Sequence, residues 1–353
     1  MQVAAGDAHT CALRASGRVD CWGAGSRGQL GNGSMTASLS PVQILRYDGE
    51  AVAITSGGFH SCLRTSTPVD VWCWGAGGVG QLGDGDRVDR LSPAKVDSST
   101  TASWDVLGVS AGTSHTCAAR VTSSVVCWGD NGQGQLGLAG AMAVEAPALS
   151  VEGLAIASSV SAGWLHTCAI VGGAVHCWGN NTYWQLGQDV PDSHVPVAAG
   201  VPMSAESISA GQEFTCATFA DGSAQCWGRA TEGQIGDGGA TGPRALPARV
   251  ALPEIALDLD AGGEHACAIV RGEDTVYCWG NNREGQLGSA TTGSASSTPI
   301  AAFENAANVS AGRTHTCAAL RDGRVACWGG NDSGQLGDGT MESHSTPTFV
   351  PLP

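Results

Sequence analysis

The sequence predicts an all-β protein: one seven-bladed β-propeller built from four-stranded antiparallel blades. Three observations carry that expectation. A hairpin pattern, two short apolar strands around a tight turn, recurs seven times along 353 residues. Its first cysteines are spaced 51, 55, 51, 48, 51 and 50 residues apart. Each hairpin runs into a version of Gly-Gln-Leu-Gly, at Gln29, Gln81, Gln135, Gln185, Gln234, Gln286 and Gln335. A period near 50 with one hairpin per period marks an array of β blades rather than a helical solenoid. Seven such units suit a closed ring of sheets.

The hairpins fall at 9–22, 60–74, 115–128, 166–178, 214–227, 265–279 and 315–328, so residues 1–353 read as a single domain. In the last copy, THTCAAL alternates, placing His315, Cys317 and Ala319 on one face. Val325 and Cys327 share the facing side of the returning strand, and Trp328 points away. Arg321-Asp322-Gly323 fits a three-residue loop whose last position needs a positive φ, which glycine adopts without steric cost.

Every repeat after the first opens on a short strand ending in glycine, such as SVSAG or LDLDAG. The first has only QVAAG, which reads as a repeat whose upstream part is missing, as if trimmed. After the Gly-Gln-Leu-Gly loop comes a variable polar stretch and then a proline-containing strand: SPVQI, SPAKV, APALS, VPVAAGV, LPARV, STPIA and STPTFV. Proline cannot donate to a β ladder and belongs at an edge or a strand start. These strands therefore form the outer, blunted edges of the blades. The shortened first repeat predicts that the C-terminal strand 345–350 completes the blade of hairpin 9–22 and thereby closes the ring.

Composition narrows the function. One lysine, Lys95, and sixteen arginines face 32 acids, for a formal net charge of −15. Binding to a nucleic-acid backbone needs clustered basic charge, so that partner is excluded. No apolar run approaches the roughly 20 residues that span a bilayer. The N-terminus carries no signal peptide and enters the first blade at once.

The 14 cysteines come two per repeat: Cys11 and Cys21, Cys62 and Cys73, Cys117 and Cys127, Cys168 and Cys177, Cys216 and Cys226, Cys267 and Cys278, and Cys317 and Cys327. Their separations of 10, 11, 10, 9, 10, 11 and 10 change together with the length of the turn between them. The two-residue Gly172-Gly173 turn goes with the separation of 9, and four-residue loops go with 11. The two thiols can then stay directly opposite in every copy, at the close end of disulfide geometry. Three readings compete: a disulfide in each blade, buried free thiols, or zinc held with the nearby histidine. Disulfides are favoured by the even count and the register. Zinc needs a fourth ligand that no repeat supplies.

The His of the H-[TSA]-C motif occurs in six copies, with Phe214 in the seventh. A catalytic group would be unique, so recurrence favours packing or hydrogen bonding. The tryptophans of the recurring Cys-Trp-Gly (Trp22, Trp74, Trp128, Trp178, Trp227, Trp279 and Trp328) read as blade-to-blade packing. His176, His194 and His344 lie outside the pattern, and Asp84, Asp237 and Asp338 read as turn residues rather than calcium ligands. No nucleophile elbow, phosphate loop or isolated acid pair stands out, so neither an active site nor a cofactor is expected.

The segment GRTHTCAALRDGRVACWGGNDSGQLG resembles the regulator of chromosome condensation repeat, and weaker copies cover nearly the whole chain. The resemblance implies a seven-bladed propeller and is specific for fold, because its signature residues are structural. The family includes a nucleotide exchange factor for a small GTPase, a plant ultraviolet-B photoreceptor and secreted bacterial inhibitors of β-lactamase. The exchange factor is a basic nuclear protein, unlike this acidic chain. The photoreceptor uses tryptophans in repeated Gly-Trp-Arg-His-Thr motifs, and here only Trp164 occupies that tryptophan position. The doubled-cysteine form is similar to bacterial members of the family, the alpha-tubulin suppressor-like proteins.

The resulting expectation is a non-catalytic, monomeric scaffold that recognises a protein partner through variable loops. The paired cysteines place it outside the cytoplasm, extracellular or periplasmic, or in the cytoplasm if they are reduced. The alternative is a guanine nucleotide exchange factor-like regulator of a small GTPase, by family precedent. Trp104, Tyr183 and Trp184, aromatics outside the recurring tryptophan position, are the candidate partner-binding residues.

Overall fold

A computed structural model describes residues 1–97, 104–122, 124–140, 143–144, 150–202, 204–239, 242–290 and 293–353. These form seven four-stranded antiparallel sheets, each ordered by sequence from the inside of the ring outwards. Blade 1 comprises Gln2–Ala5, His9–Leu13, Val19–Gly23 and Ser38–Gln43, and blade 7 comprises Ala306–Ala311, His315–Leu320, Val325–Gly329 and His344–Phe349. The proline-containing strands are the outer ones, as expected from their missing donor. In blade 3 the outer strand is only Ala143–Val144, and of the expected strand 146–150 only Ser150, which bridges to Val126, falls within the described residues.

The expected closure of the ring is not found. His344–Phe349 pairs with Val325–Gly329 of its own blade. Blade 1 needs no C-terminal strand, because Gln2–Ala5 already makes a full ladder with the next strand, from Gln2 opposite Leu13 to Ala5 opposite Thr10. Side chains close the ring instead. Val3 N donates to Asn308 Oδ1 at 2.9 Å, Ala5 N donates to Ser310 Oγ at 3.1 Å, and Trp22 Nε1 donates to the Gln335 carbonyl at 2.9 Å.

The core is repeated seven times between neighbouring sheets. At the closing seam, Cys317, Ala319, Val325 and Cys327 of blade 7 face Val3, Ala12 and Trp22 of blade 1, with Leu336 above them. The opposite face of blade 7, with Ala318 and Trp328, belongs to the cluster shared with blade 6. The strand alternation thus divides each blade between two cores. All seven cysteine pairs stand directly opposite in the ladder and are bonded, with Cα atoms 4.1 Å apart, and no free cysteine remains. That spacing is the short one of an antiparallel pair without mutual hydrogen bonds.

Candidate functional site

The recurring histidines join blade to blade. His9 Nε2 lies 2.8 Å from Ser61 Oγ, His60 Nε2 lies 2.9 Å from Thr116 Oγ1, and the series continues as His115 to Thr167, His166 to Thr215, His265 to Thr316 and His315 to Thr10. Each threonine hydroxyl also donates to the carbonyl of a Gln in the preceding blade, as Thr10 does to Gln335 at 2.9 Å. It must therefore accept from the imidazole, which fixes the Nε2–H tautomer. All six rings are fully buried. Burial pushes His9 down to about 4 and the other five to about 3, so they are neutral at ordinary pH. Out of reach of solvent and substrate, these histidines are structural.

Just above them runs a ring of glycines. A Cβ on Gly57 would lie 2.0 Å from the Gly112 carbonyl oxygen, and one on Gly312 would lie 2.5 Å from that of Gly6, so no side chain fits. The residue after each glycine sits on one mouth of the axial channel: Asp7, Gly58, Thr113, Trp164, Gln212, Gly263 and Arg313. Their amides chain the blades together, from Asp7 N to Gly58 O at 3.3 Å round to Arg313 N to Gly6 O at 3.2 Å. In the sequence this position holds a tryptophan only at Trp164. Its signal was chemical diversity between an invariant-looking glycine and histidine.

Below the mouth, the inner strands enclose a channel of about 320 Å³. Thr55, Ser110 and Ser161 each accept a backbone N–H from the next blade, at 3.2, 3.0 and 3.0 Å. At the equivalent place in blade 6 stands Asp260, which takes Ser209 Oγ at 2.8 Å, Ser310 Oγ at 3.0 Å and Ala311 N at 2.9 Å. Burial raises Asp260 to about 6, and it raises Asp258 and Asp7 in the same direction.

The loops on the same face bring together a second group. Arg229 lies over the Tyr183 ring at 5.6 Å and forms ion pairs with Glu213 at 2.8 Å and Glu264 at 2.9 Å. Trp184 Nε1 donates to Asp189 Oδ1 at 3.0 Å. Trp184 adopts φ of 64°, while the residues at its place in the other copies are glycines with φ of 77 to 85°. Tyr183 and Trp184 are half-buried neighbours in blade 4. Trp104 is not part of this group. It precedes the inner strand of blade 3, at the other end of the ring, and lies against Trp128 with ring centroids 6.5 Å apart.

A family model described as the RCC1-like domain matches residues 1–268 and 70–353. The ultraviolet-B receptor UVR8 of Arabidopsis thaliana is 32% identical over 243 residues, covering 67% of this chain and 54% of the receptor. The E3 ubiquitin-protein ligase HERC2 of Mus musculus is 29% identical over 83% of this chain but only 6% of the ligase. The chain thus spans about half the length of the first relative and a small part of the second. Among solved structures, yeast RCC1 (Prp20), bound to Kap60, superposes with a TM-score of 0.86 at 21% identity over 96% of this chain and 85% of that one. Human WBSCR16 gives 0.83 at 22% identity over 95% and 94%. At such identities the structures speak for the fold.

Proposed function

We propose that this chain, which belongs to the RCC1-like domain family, is an exported, disulfide-stapled scaffold whose protein partner docks on the face bearing the Gly-Gln-Leu-Gly loops. The observation that carries this reading is Trp184. A bulky residue at φ of 64° costs about 1–2 kcal/mol relative to glycine, which the other copies keep. Such strain persists where the side chain has work to do, and an aromatic at a binding surface is the commonest work. In its group, Asp189, Glu213 and Glu264 outnumber Arg229, so the patch favours a partner surface that is basic as well as apolar. Trp104, half-buried against Trp128, is assigned to packing.

Seven buried disulfides support an oxidising compartment, because cytosolic thiols are kept reduced. The exchange-factor alternative draws on likeness to yeast RCC1 at 21% identity and finds no residue of its own here. The test is affinity capture from the secreted fraction with the wild-type chain and with Tyr183→Ala and Trp184→Gly. One stoichiometric protein that both variants lose supports the reading. Full capture by both variants, or accelerated nucleotide release from a small GTPase, overturns it.

A further inference from the structure

The axial channel carries chemistry that the docking face does not use. It is a polar space lined by all seven inner strands, and its volume of about 320 Å³ falls in the range of small-molecule sites. Charges of both signs line it. At the mouth, Arg313 is exposed and makes no direct ion pair among the described residues, while its charge acts on Asp7, its rim neighbour across the seam. Deeper, on the neighbouring blade 6, the carboxylates of Asp258 and Asp260 line the wall. Asp260 stands two residues below its Gly262 turn, or about 7 Å at the rise of a strand. Trp164 in blade 4 stands across the seven-fold ring from the seam between blades 7 and 1, where Arg313 and Asp7 lie. The wall between is polar: the hydroxyls of Thr55, Ser110 and Ser161 accept a backbone N–H but keep their own protons unassigned to any protein acceptor among the described residues.

Each feature selects. An exposed guanidinium at a rim holds a carboxylate, since its planar donors match two oxygens. Carboxylates set below it, in a partly desolvated wall, repel a second anion and attract an ammonium group. An indole at the mouth on the opposite side of the ring offers apolar contact to whatever links the two charges. The two glycines of the mouth, Gly58 and Gly263, leave it open, and a Cβ on Gly263 would meet the Arg313 carbonyl oxygen at 2.4 Å.

We propose that the channel mouth is a binding site for a small zwitterion of the free amino-acid class, with its carboxylate on Arg313, its ammonium toward Asp258 and Asp260, and its side chain against Trp164. The site is separate from the Tyr183 and Trp184 patch, and neither reading depends on the other.

The experiment is calorimetric titration of the oxidised full chain with each of the twenty free L-amino acids, up to about 10 mM. The best binder is then compared with its decarboxylated amine and its deaminated acid. Saturable binding is expected, with both single-charge analogues weaker by about tenfold or more. Arg313→Ala should weaken the zwitterion about tenfold and abolish its advantage over the amine, and Trp164→Ala should weaken it while sparing the charge preference. Both are rim residues outside the blade cores, so the melting temperature serves as the folding control. No saturable heat with any amino acid, an amine that binds as tightly as its zwitterion, or unchanged affinity in Arg313→Ala would each overturn the assignment.

Discussion

Phe214 of blade 5 and Ala266 of blade 6 occupy the places where, at each of the other six seams, a histidine meets a hydroxyl. Both are fully buried in one cluster, so the exchange of imidazole for phenyl is matched by the loss of the hydroxyl it would have bonded. The pair is a substitution of one satisfied solution by another: a hydrogen bond between two polar groups for contact between two apolar ones. Neither half works without the other.

That dependence is measurable as a double-mutant cycle. Phe214→His alone buries an imidazole N–H with no acceptor and should destabilise by about 1–3 kcal/mol. Phe214→His with Ala266→Thr rebuilds the seam of the other blades, with the new hydroxyl donating to the Gln234 carbonyl, which takes only Trp279 Nε1, at 2.9 Å, among the described residues. Denaturant unfolding with the disulfides intact should show favourable coupling of about 1–3 kcal/mol. Simple additivity would separate the two positions.

The six neutral histidines make stability depend on acid. Their folded values of about 4 for His9 and about 3 for the rest lie below the ordinary 6.5, so between these limits the unfolded chain binds more protons. The stability they confer is complete above pH 6.5 and is lost as pH falls toward 3 to 4, each adding about 1.4 kcal/mol per pH unit to the slope. A proton on Nδ1 would find no acceptor, since that atom is buried without a partner in all six rings. Asp260 works in the opposite direction: raised from 3.8 to about 6, it binds its proton more readily folded and offsets part of the slope between those values. Unfolding free energy measured from pH 7.5 to 4.5 should therefore fall steeply below about pH 6.5. A flat profile would mean that the rings take up protons in the fold as readily as in the unfolded chain.

How much of this could be read beforehand follows the range of each interaction. Cys317 opposite Cys327, and the turn at Gly323 between them, lie within one hairpin, where alternation and loop length determine the register. Phe214 and Ala266 are 52 positions apart, and their relation acquires meaning only when two blades are laid side by side. The closing seam misled for a different reason. QVAAG looks too short beside its counterparts, yet four residues suffice for an inner strand when Asn308 and Ser310 supply acceptors from the next blade. The mouth residues are not legible in the sequence because Asp7, Thr113, Gln212 and Arg313 share no chemistry, and it is the ring that brings them to one cavity. For Tyr183 the neighbour that gives it context, Arg229, comes from the following blade.

Because all 14 cysteines are fully buried, the native ring should resist reduction by a mild thiol and yield no alkylated cysteine until it is denatured. Replacing Cys168 and Cys177 together with alanine removes a bridge that closes a loop of sequence separation 9. The chain-entropy model bounds that cost at about 2–3 kcal/mol, less where the two-residue turn already orders the hairpin. Non-reducing mass analysis of the freshly isolated native protein should find no free thiol. Fourteen alkylatable cysteines in freshly isolated native protein would place it in a reducing compartment instead.

Trp184 separates strain from packing. Its backbone sits in the left-handed region at φ of 64°, where glycine pays no steric cost and asparagine pays little. Its side chain contributes one hydrogen bond, from Nε1 to Asp189, which is surface-exposed and so adds at most about 1 kcal/mol. Relief of about 1–2 kcal/mol outweighs that loss, so Trp184→Gly should melt at the same temperature as the wild type or slightly above it. Trp184→Asn should fall between the two, and Trp184→Val, β-branched at a positive φ, should melt lowest. If Trp184 instead filled a gap in the loop, the order would invert, with glycine costing more than valine. The partner-binding role requires the first order together with weakened capture by the glycine variant, since a residue that strains the fold and binds nothing would have no reason to differ from the six glycines at its position.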